Sequence, residues 1–350
     1  MNVVPRARSV NVLEIAKLSG SSKSAVSRVI QNQPGVAPEM RARIQHIIRA
    51  HHFQPSILGR ALRGAHTGVI GVLARFMGSG FTAEVIRGID DEVKRKGSQT
   101  MCMLAPGIDE YIRSWRTLVS GRHVDGVVLL APPTDIFKYP VDELDKPVVL
   151  CAAEPPDKAS TWKAAGSVVL DNQTAMKQMV KHLLDQGCRR LIYLAGQPDI
   201  FDCQERERVF LEAAAERKGV RASVVQGAWT RELAVSVVHG CLSARKQKPD
   251  AILCWNDYVA MGCLQALSEL DIAVPEKIAV AGWDDVPGAD HLDVTTIRLP
   301  MLEMGWQAAR ILFQKTNPGN VGLASPSHVS LQMSLQIRRT TVRRAVKSRA

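Results

Sequence analysis

From residue 69 onward the chain alternates short, uninterrupted apolar runs with longer amphipathic stretches, and this alternation restricts the fold more than any other feature. Strands buried on both faces read as continuous apolar runs, and parallel neighbours need a crossover that a helix normally supplies. Residues 69–73, 101–104, 127–130 and 148–151 read as buried strands, with helices over 81–96 and 108–120 between the first three. After Gly166 the pattern starts again. Strands are expected at 168–170, 191–194, 223–225, 251–254 and 278–281, with helices over 173–186, 206–217, 231–243 and 258–270 between them. Two such runs imply an α/β chain with two lobes, each a parallel sheet flanked by helices. Ligands in such folds sit beyond the carboxyl ends of the strands, here in the cleft between the lobes.

Ahead of this body lies a different pattern. Residues 10–30, VNVLEIAKLSGSSKSAVSRVI, read as two short helices and a tight turn. Leu13, Ile15, Ala16 and Leu18 form one apolar face, Gly20 supplies the turn, and Ser21 or Ser22 caps a second helix buried through Ala25, Val26, Val29 and Ile30. This is either a helix-turn-helix or an ordinary helical hairpin. In the first case Lys23, Ser24, Ser27 and Arg28 face a major groove and its flanking phosphates. A third helix over 39–50, introduced by Pro38, closes a small core. Residues 55–68, PSILGRALRGAHTG, form a linker too short to hold a helix alone in water.

Charge separates the two readings of the first helices. Residues 1–66 carry ten Lys and Arg against Glu14 and Glu39, and residues 338–350 carry six and no acid, so the middle of a chain with net charge +11 is slightly acidic. A positive N-terminal unit on a near-neutral body implies a polyanion partner, nucleic acid ahead of membrane. No segment is apolar for long enough to span a bilayer, and Glu14 and Lys17 interrupt any signal-peptide core, so a cytoplasmic protein is expected. The seven cysteines are scattered and contain no CxxC pair, which implies buried thiols without a disulfide framework, metal site or cofactor. No histidine falls at metal-ligand spacing, and no GxSxG, P-loop or dinucleotide fingerprint appears, which argues against an enzyme. A solute-binding receptor suits the two-lobed body alone. The basic N-terminal unit and the missing export signal argue against it.

The motifs EIAKLSG, AVSRVI, PSILGRAL, FTAEVIRGID, VDGVVLL, DNQTA, HLLDQGCRRLIYLAG, WNDYVAMG, AVAGWDDV and TTIRLPMLEMGWQAA follow in order. Over residues 10 to about 337 the chain thereby resembles the LacI/GalR family of bacterial transcription regulators. The resemblance implies a helix-turn-helix headpiece over 1–54, a hinge helix over 55–68, a two-lobed core like that of periplasmic sugar-binding proteins over 69–337, and a basic tail over 338–350. It implies a homodimeric repressor on double-stranded operator DNA, controlled by a small effector, a sugar or sugar acid. Lys23, Ser24 and Arg28 fall where family members read operator bases, with Ser27 near phosphate. Leu62 matches a leucine that wedges into the minor groove, and Arg60 and Arg63 match flanking phosphate contacts. In the core, Phe81 and Thr82 fall on the ligand-facing loop, Trp229 at a stacking position, and Arg206, Asn256 and Asp284 at polar ligand contacts.

Each of these residues also has an ordinary use. Leu62 can cover the core, Arg206 can pair with Glu205 or Glu207 along one helix, Trp229 can fill the interior, and Asp284 and Asp285 can form a solvated turn. The chain departs from the family pattern at Val209, Cys188, Ser21 and Gly59; the last weakens an isolated hinge helix by about 0.5–1 kcal/mol relative to alanine. No leucine heptad follows Arg338, so a dimer is expected, with the basic tail as a solvated end. Arg75, near the first ligand loop, leaves room for a sugar acid.

Overall fold

The computed structural model describes residues 10–30, 33–51, 53, 66–77, 80–121, 123–139, 146–155, 162, 164–245, 247–316 and 327–343. The chain divides into two compact units, Met1–Thr67 and Gly68–Ala350. The expected hinge residues Arg60, Leu62 and Arg63, and the boundary between headpiece and hinge, lie outside the described residues.

The first unit holds α1 (Val12–Ser19), α2 (Lys23–Ile30) and α3 (Pro38–Ala50) around Ile15, Val26, Val29 and Ile44. Asn11 starts α1 with a reciprocal cap: its Oδ1 accepts from the Leu13 and Glu14 amides, and Glu14 Oε2 accepts from the Asn11 amide at 2.8 Å. Gly20, at φ +63°, ends it in the left-handed conformation that glycine adopts without strain. The apolar face differs from the expected one. Leu13 and Leu18 are 57% and 49% exposed, because the helical period runs through Ile15, Ala16 and Ser19. Ser19 Oγ donates to the Ile15 carbonyl at 2.7 Å and pairs with Ser21 Oγ at 2.8 Å, which accounts for a serine in the turn. Ser22 caps α2 through the Ala25 amide at 3.1 Å.

The second unit contains two parallel sheets. In the first lobe β1 (Val69–Ala74), β2 (Gln99–Leu104), β3 (Gly126–Leu130), β4 (Val148–Cys151), β5 (Gly166–Leu170) and β11 (Ser327–Leu331) lie in the order β11-β5-β4-β3-β1-β2. In the second, β6 (Arg190–Leu194), β7 (Arg221–Val225), β8 (Ala251–Cys254) and β9 (Ala279–Ala281) lie in the order β7-β6-β8-β9. The connecting helices are α4 (Gly80–Arg95), α5 (Ile108–Ser120), α6 (Asn172–Asp185), α7 (Phe201–Ala215), α8 (Arg231–Ser243) and α9 (Asp257–Glu269). A further helix, α10 (Met301–Thr316), returns to the first lobe against α4. There the backbones touch: a Cβ on Gly305 would lie 2.2 Å from the Val85 carbonyl oxygen, and one on Gly88 2.2 Å from that of Leu302.

Three features depart from the sequence expectation. β2 is an edge strand, with Met101 and Leu104 37% and 43% exposed, because it has a neighbour on one side only. α7 starts at Phe201, five residues before the expected start, which brings Asp202 and Cys203 onto the helix that carries Arg206. An antiparallel pair, β10 (Thr296–Arg298) and β12 (Ser334–Gln336), lies where the chain passes between the lobes. The expectation of a solvated basic tail from 338 is also corrected at its start. Arg338 pairs with Asp285 at 2.7 Å, and Arg343 donates to the carbonyls of Asp250 at 2.7 Å and Pro275 at 3.1 Å, so residues 338–343 are packed onto the second lobe.

Candidate binding cleft and nucleic-acid interface

Beyond the carboxyl ends of the strands lies a cleft of about 530 Å³. Arg75 follows β1, Leu130 ends β3 and Ala131 follows it, Gln197 follows β6, Trp229 follows β7, Trp255 and Asn256 follow β8, and Asp284 follows β9. All six residues singled out in the core, Phe81, Thr82, Arg206, Trp229, Asn256 and Asp284, line this one cleft. The two lobes also meet at its rim. Arg75 Nη1 donates to Asp199 Oδ2 at 2.9 Å, and the Thr134 amide donates to the Asp199 carbonyl at 2.8 Å.

Arg206 pairs with neither neighbouring glutamate: Glu205 binds Arg208, and Glu207 accepts from Gln226. Its guanidinium is buried, donating from Nε to Asn172 Oδ1 at 3.0 Å and from Nη1 to the Trp255 carbonyl at 3.2 Å. It lies 4.7 Å over the Trp283 ring, and Nη2 faces Asp202 at 3.9 Å. Asn172 Nδ2 donates to Asp202 Oδ1 at 2.7 Å and closes the network. Trp229 is 40% exposed and so is not core. Trp255 Nε1 donates to the Ala228 carbonyl at 3.0 Å, which anchors the loop carrying Trp229. Trp283 is fully buried beneath Arg206 and does not line the cleft.

Asp284 is only 6% exposed, so the solvated turn is excluded. Among the described residues its carboxylate has no hydrogen-bond donor, and burial pushes its pKa well up, opposed by the Arg206 charge. The Asp202 carboxyl is also pushed up by burial, against the pull of Arg206. Asn256 uses its Oδ1 to cap α9 through the Val259 amide at 2.8 Å, leaving its amide nitrogen for the cleft. Gln197 Oε1 is buried without a partner among the described residues. The cleft therefore offers aromatic and aliphatic walls, an acceptor at Asp284, a donor at Asn256 and a fixed cation at Arg206. Such a set suits a compact ring bearing hydroxyls. Asn172, Asp202, Gln197 and Trp255 were not foreseen. Asn172 was visible only as part of DNQTA, and nothing local marks a buried charge network.

On α2, Lys23, Ser24 and Arg28 are exposed and Ser27 is half-buried, on the side away from Val26 and Val29. Arg28 Nη1 lies 3.5 Å from the Gly35 carbonyl, a long contact that leaves most of its donors outward. No group of three or more His, Cys, Asp and Glu suited to a metal occurs among the described residues, and no described helix is long and apolar enough to cross a membrane.

A family profile described as bacterial regulatory proteins, lacI family, matches residues 11–56, and one described as a periplasmic binding protein-like domain matches residues 180–341. The chain is 29% identical over 316 residues to the HTH-type transcriptional repressor PurR of Serratia proteamaculans, covering 87% of this chain and 89% of the relative. The PurR of Haemophilus influenzae is 25% identical over 336 residues, covering 94% and 98%. Among solved structures, the lac repressor dimer bound to operator and the anti-inducer ONPF matches with a TM-score of 0.83 at 19% identity, covering 96% of this chain and all of that one. A complex of the transcriptional regulator CelR with cellobiose matches with a TM-score of 0.67 at 24% identity, covering 95% and 99%.

Proposed function

The chain belongs to the lacI family of bacterial regulatory proteins, and from that premise we propose that it is a DNA-binding repressor whose hold on an operator is set by a small metabolite in the cleft. One observation carries the reading: a chain with a basic, outward-facing helix-turn-helix also gathers six ligand-type residues around one inter-lobe cleft. It is a regulator and not an enzyme. The headpiece sets aside the solute-receptor alternative.

In this reading Lys23, Ser24 and Arg28 contact base edges in the major groove and Ser27 a phosphate. Arg60 and Arg63 hold phosphates beside a minor-groove step opened by Leu62. Two copies of the chain form a dimer in the cytosol and place two headpieces on a pseudo-palindromic site; the lac repressor of similar fold is a dimer bound to operator. Ligand in the cleft rotates the lobes and changes whether the paired hinges fold on DNA.

The cleft favours a neutral sugar over a sugar acid. Arg75 is already matched by Asp199, Arg206 is tied into the Asn172 and Asp202 network, and the unmatched group is the Asp284 acceptor. Trp229 and Phe81 cover the apolar faces of the ring, Asp284 accepts from hydroxyls, and Asn256, Thr82 and Arg206 complete the polar contacts. The related CelR structure holds cellobiose.

The test has two arms. Selection from a random double-stranded DNA library should enrich a pseudo-palindrome bound by the wild type and lost by Arg28→Ala. Thermal shifts with glucose, galactose, ribose, cellobiose and gluconate should favour a neutral sugar. That sugar should then change operator affinity by about 5- to 150-fold. Failure to enrich any site would overturn the DNA-binding reading, and a shift confined to gluconate would overturn the neutral-sugar reading.

A further inference from the structure

Asp284 and Asp285 occupy consecutive left-handed backbone conformations, with φ +104° and +56°. Neither is glycine, and Asp284 lies well outside the ordinary left-handed well. Such a turn persists only where its surroundings over-determine it. Here they do. The Asp284 amide donates to the Ile297 carbonyl at 2.9 Å, and the Val286 amide donates to Asp257 Oδ2 at 2.9 Å. The two oxygens of Asp285 accept from two different arginines, Oδ2 from Arg298 Nε at 2.6 Å and Oδ1 from Arg338 Nη2 at 2.7 Å. The Asp285 carboxylate is 6% exposed and the Arg338 side chain 16%. Arg338 is itself fixed, donating from Nη1 to the Val294 carbonyl at 2.8 Å and from its amide to Thr295 Oγ1 at 2.9 Å.

We propose that Asp285, clamped between Arg298 and Arg338, is the positioning residue that aims the Asp284 carboxylate into the cleft and fastens it to the segments joining the two lobes. Arg298 lies on β10, the strand that leads into α10 of the first lobe, and Arg338 follows β12, to which the chain returns after β11. A ligand that pulls on Asp284 therefore pulls on both of these inter-lobe connections. The inference rests on the reading of Asp284 as an effector contact. It adds that the neighbouring acid, which faces away from the ligand, sets that contact's geometry.

The experiment compares full-length wild type, Asp285→Asn, Arg298→Ala, Asp284→Asn and the Asp284→Asn/Asp285→Asn double variant. Asparagine tolerates the left-handed conformation, so Asp285→Asn removes the charge clamp without a new steric demand. Arg298 is 57% exposed, so Arg298→Ala is a milder second probe that does not empty a core site. Hydrogen–deuterium exchange of the peptide spanning residues 282–288, in the ligand-free chain, should accelerate at least tenfold in Asp285→Asn and about threefold in Arg298→Ala, with melting temperatures close to wild type.

For whichever of glucose, galactose, ribose or cellobiose stabilises the wild type most, affinity should fall at least tenfold in Asp285→Asn. In the Asp284→Asn background the same change should cost less than twofold, a coupling that a merely structural role would not produce. Unchanged exchange overturns the inference, as does an equal affinity loss in both backgrounds. If none of the four sugars binds the wild type, the sugar reading falls, and the exchange arm still decides whether Asp285 holds the turn.

Discussion

Asp257 allows a quantitative test of the second unit. Its carboxylate is fully buried at the start of α9, where Oδ1 accepts from Thr296 Oγ1 at 2.7 Å and Oδ2 from the Val286 amide. Burial, with the nearby Asp285 charge, outweighs these hydrogen bonds and raises its pKa to about 7. An unfolded aspartate titrates near 3.9. Between these values the folded state binds the proton and the unfolded state does not, so stability falls as pH rises through the window and the penalty is complete above about pH 7. At about 1.4 kcal/mol per pH unit, the group costs about 1.5 kcal/mol at pH 5 and about 4 kcal/mol at pH 8.5 relative to its fully protonated state.

Asp257→Asn removes this dependence and keeps the shape. The amide oxygen can accept from Val286 and the amide nitrogen can donate to Thr296 Oγ1 once that hydroxyl turns, so both partners stay satisfied. The stability of the variant relative to wild type should therefore rise by about 2–3 kcal/mol between pH 5 and pH 8.5. Urea unfolding followed by tryptophan emission measures it. All six tryptophans lie at residue 115 or beyond, so the signal reports the second unit alone. Asp202 titrates in both proteins and cancels in the difference, whereas the Asp257 charge raises the Asp284 pKa in the wild type alone and so widens the gap with pH in the same direction. A gap that stays constant with pH would refute the argument, whatever its size.

Other outcomes follow from the same geometry. Gly305→Ala should lower the urea midpoint, with a cost of about 1–3 kcal/mol or more from the overlap with the Val85 carbonyl, whereas Gly240→Ala, with open space around its Cβ, should gain about 0.5–1 kcal/mol. Arg206→Ala leaves Asp202 buried without its counter-charge and should cost about 3–5 kcal/mol of stability, read by the same urea curves. Arg28→Ala should cost about 1–3 kcal/mol of operator affinity and relax specificity at the base it reads, measured by competition with single-base operator variants, and an equal loss on every sequence would remove Arg28 from the base contacts. Trp229→Phe should abolish most of the sugar-induced change in tryptophan emission while retaining binding; a signal that persists would place the reporter elsewhere.

The architecture was legible because its signals are local. Val127, Val128, Leu129 and Leu130 cannot be half-solvated, and repeated runs of this kind separated by amphipathic helices leave little besides parallel sheets. What the runs could not reveal is which strand lies at an edge: residues 101–104 of β2 are as apolar as β3 and yet largely exposed, since exposure depends on the neighbour. β11, β10 and β12 escaped for a related reason. They are short and largely polar, and β11 owes its existence to pairing with β5, 161 positions away between His328 and Ser167. The residues of the cleft were reached through resemblance, and the structure brings all six together. Their supports, Asn172, Asp202 and Asp257, stayed hidden because a buried polar group has no local signature that distinguishes it from a solvated one.

The pair Asp284 and Asp285 shows what that limit means for function. In the sequence they are two equivalent acids in a turn, and a solvated pair is the simpler reading. Folding makes them opposites: one carboxylate faces the cleft with no donor among the described residues, while the other is matched by arginines 13 and 53 residues away. Each requires the other. Without the clamp, two adjacent left-handed aspartates would relax toward ordinary backbone and the free carboxylate would turn to water; without the cleft, nothing would justify burying an acid that lacks a partner. A repressor needs this asymmetry, because an effector can shift the lobes only through a group that is unsatisfied in one arrangement and bonded in another. In this chain the unsatisfied group is built directly onto the segments that connect the lobes.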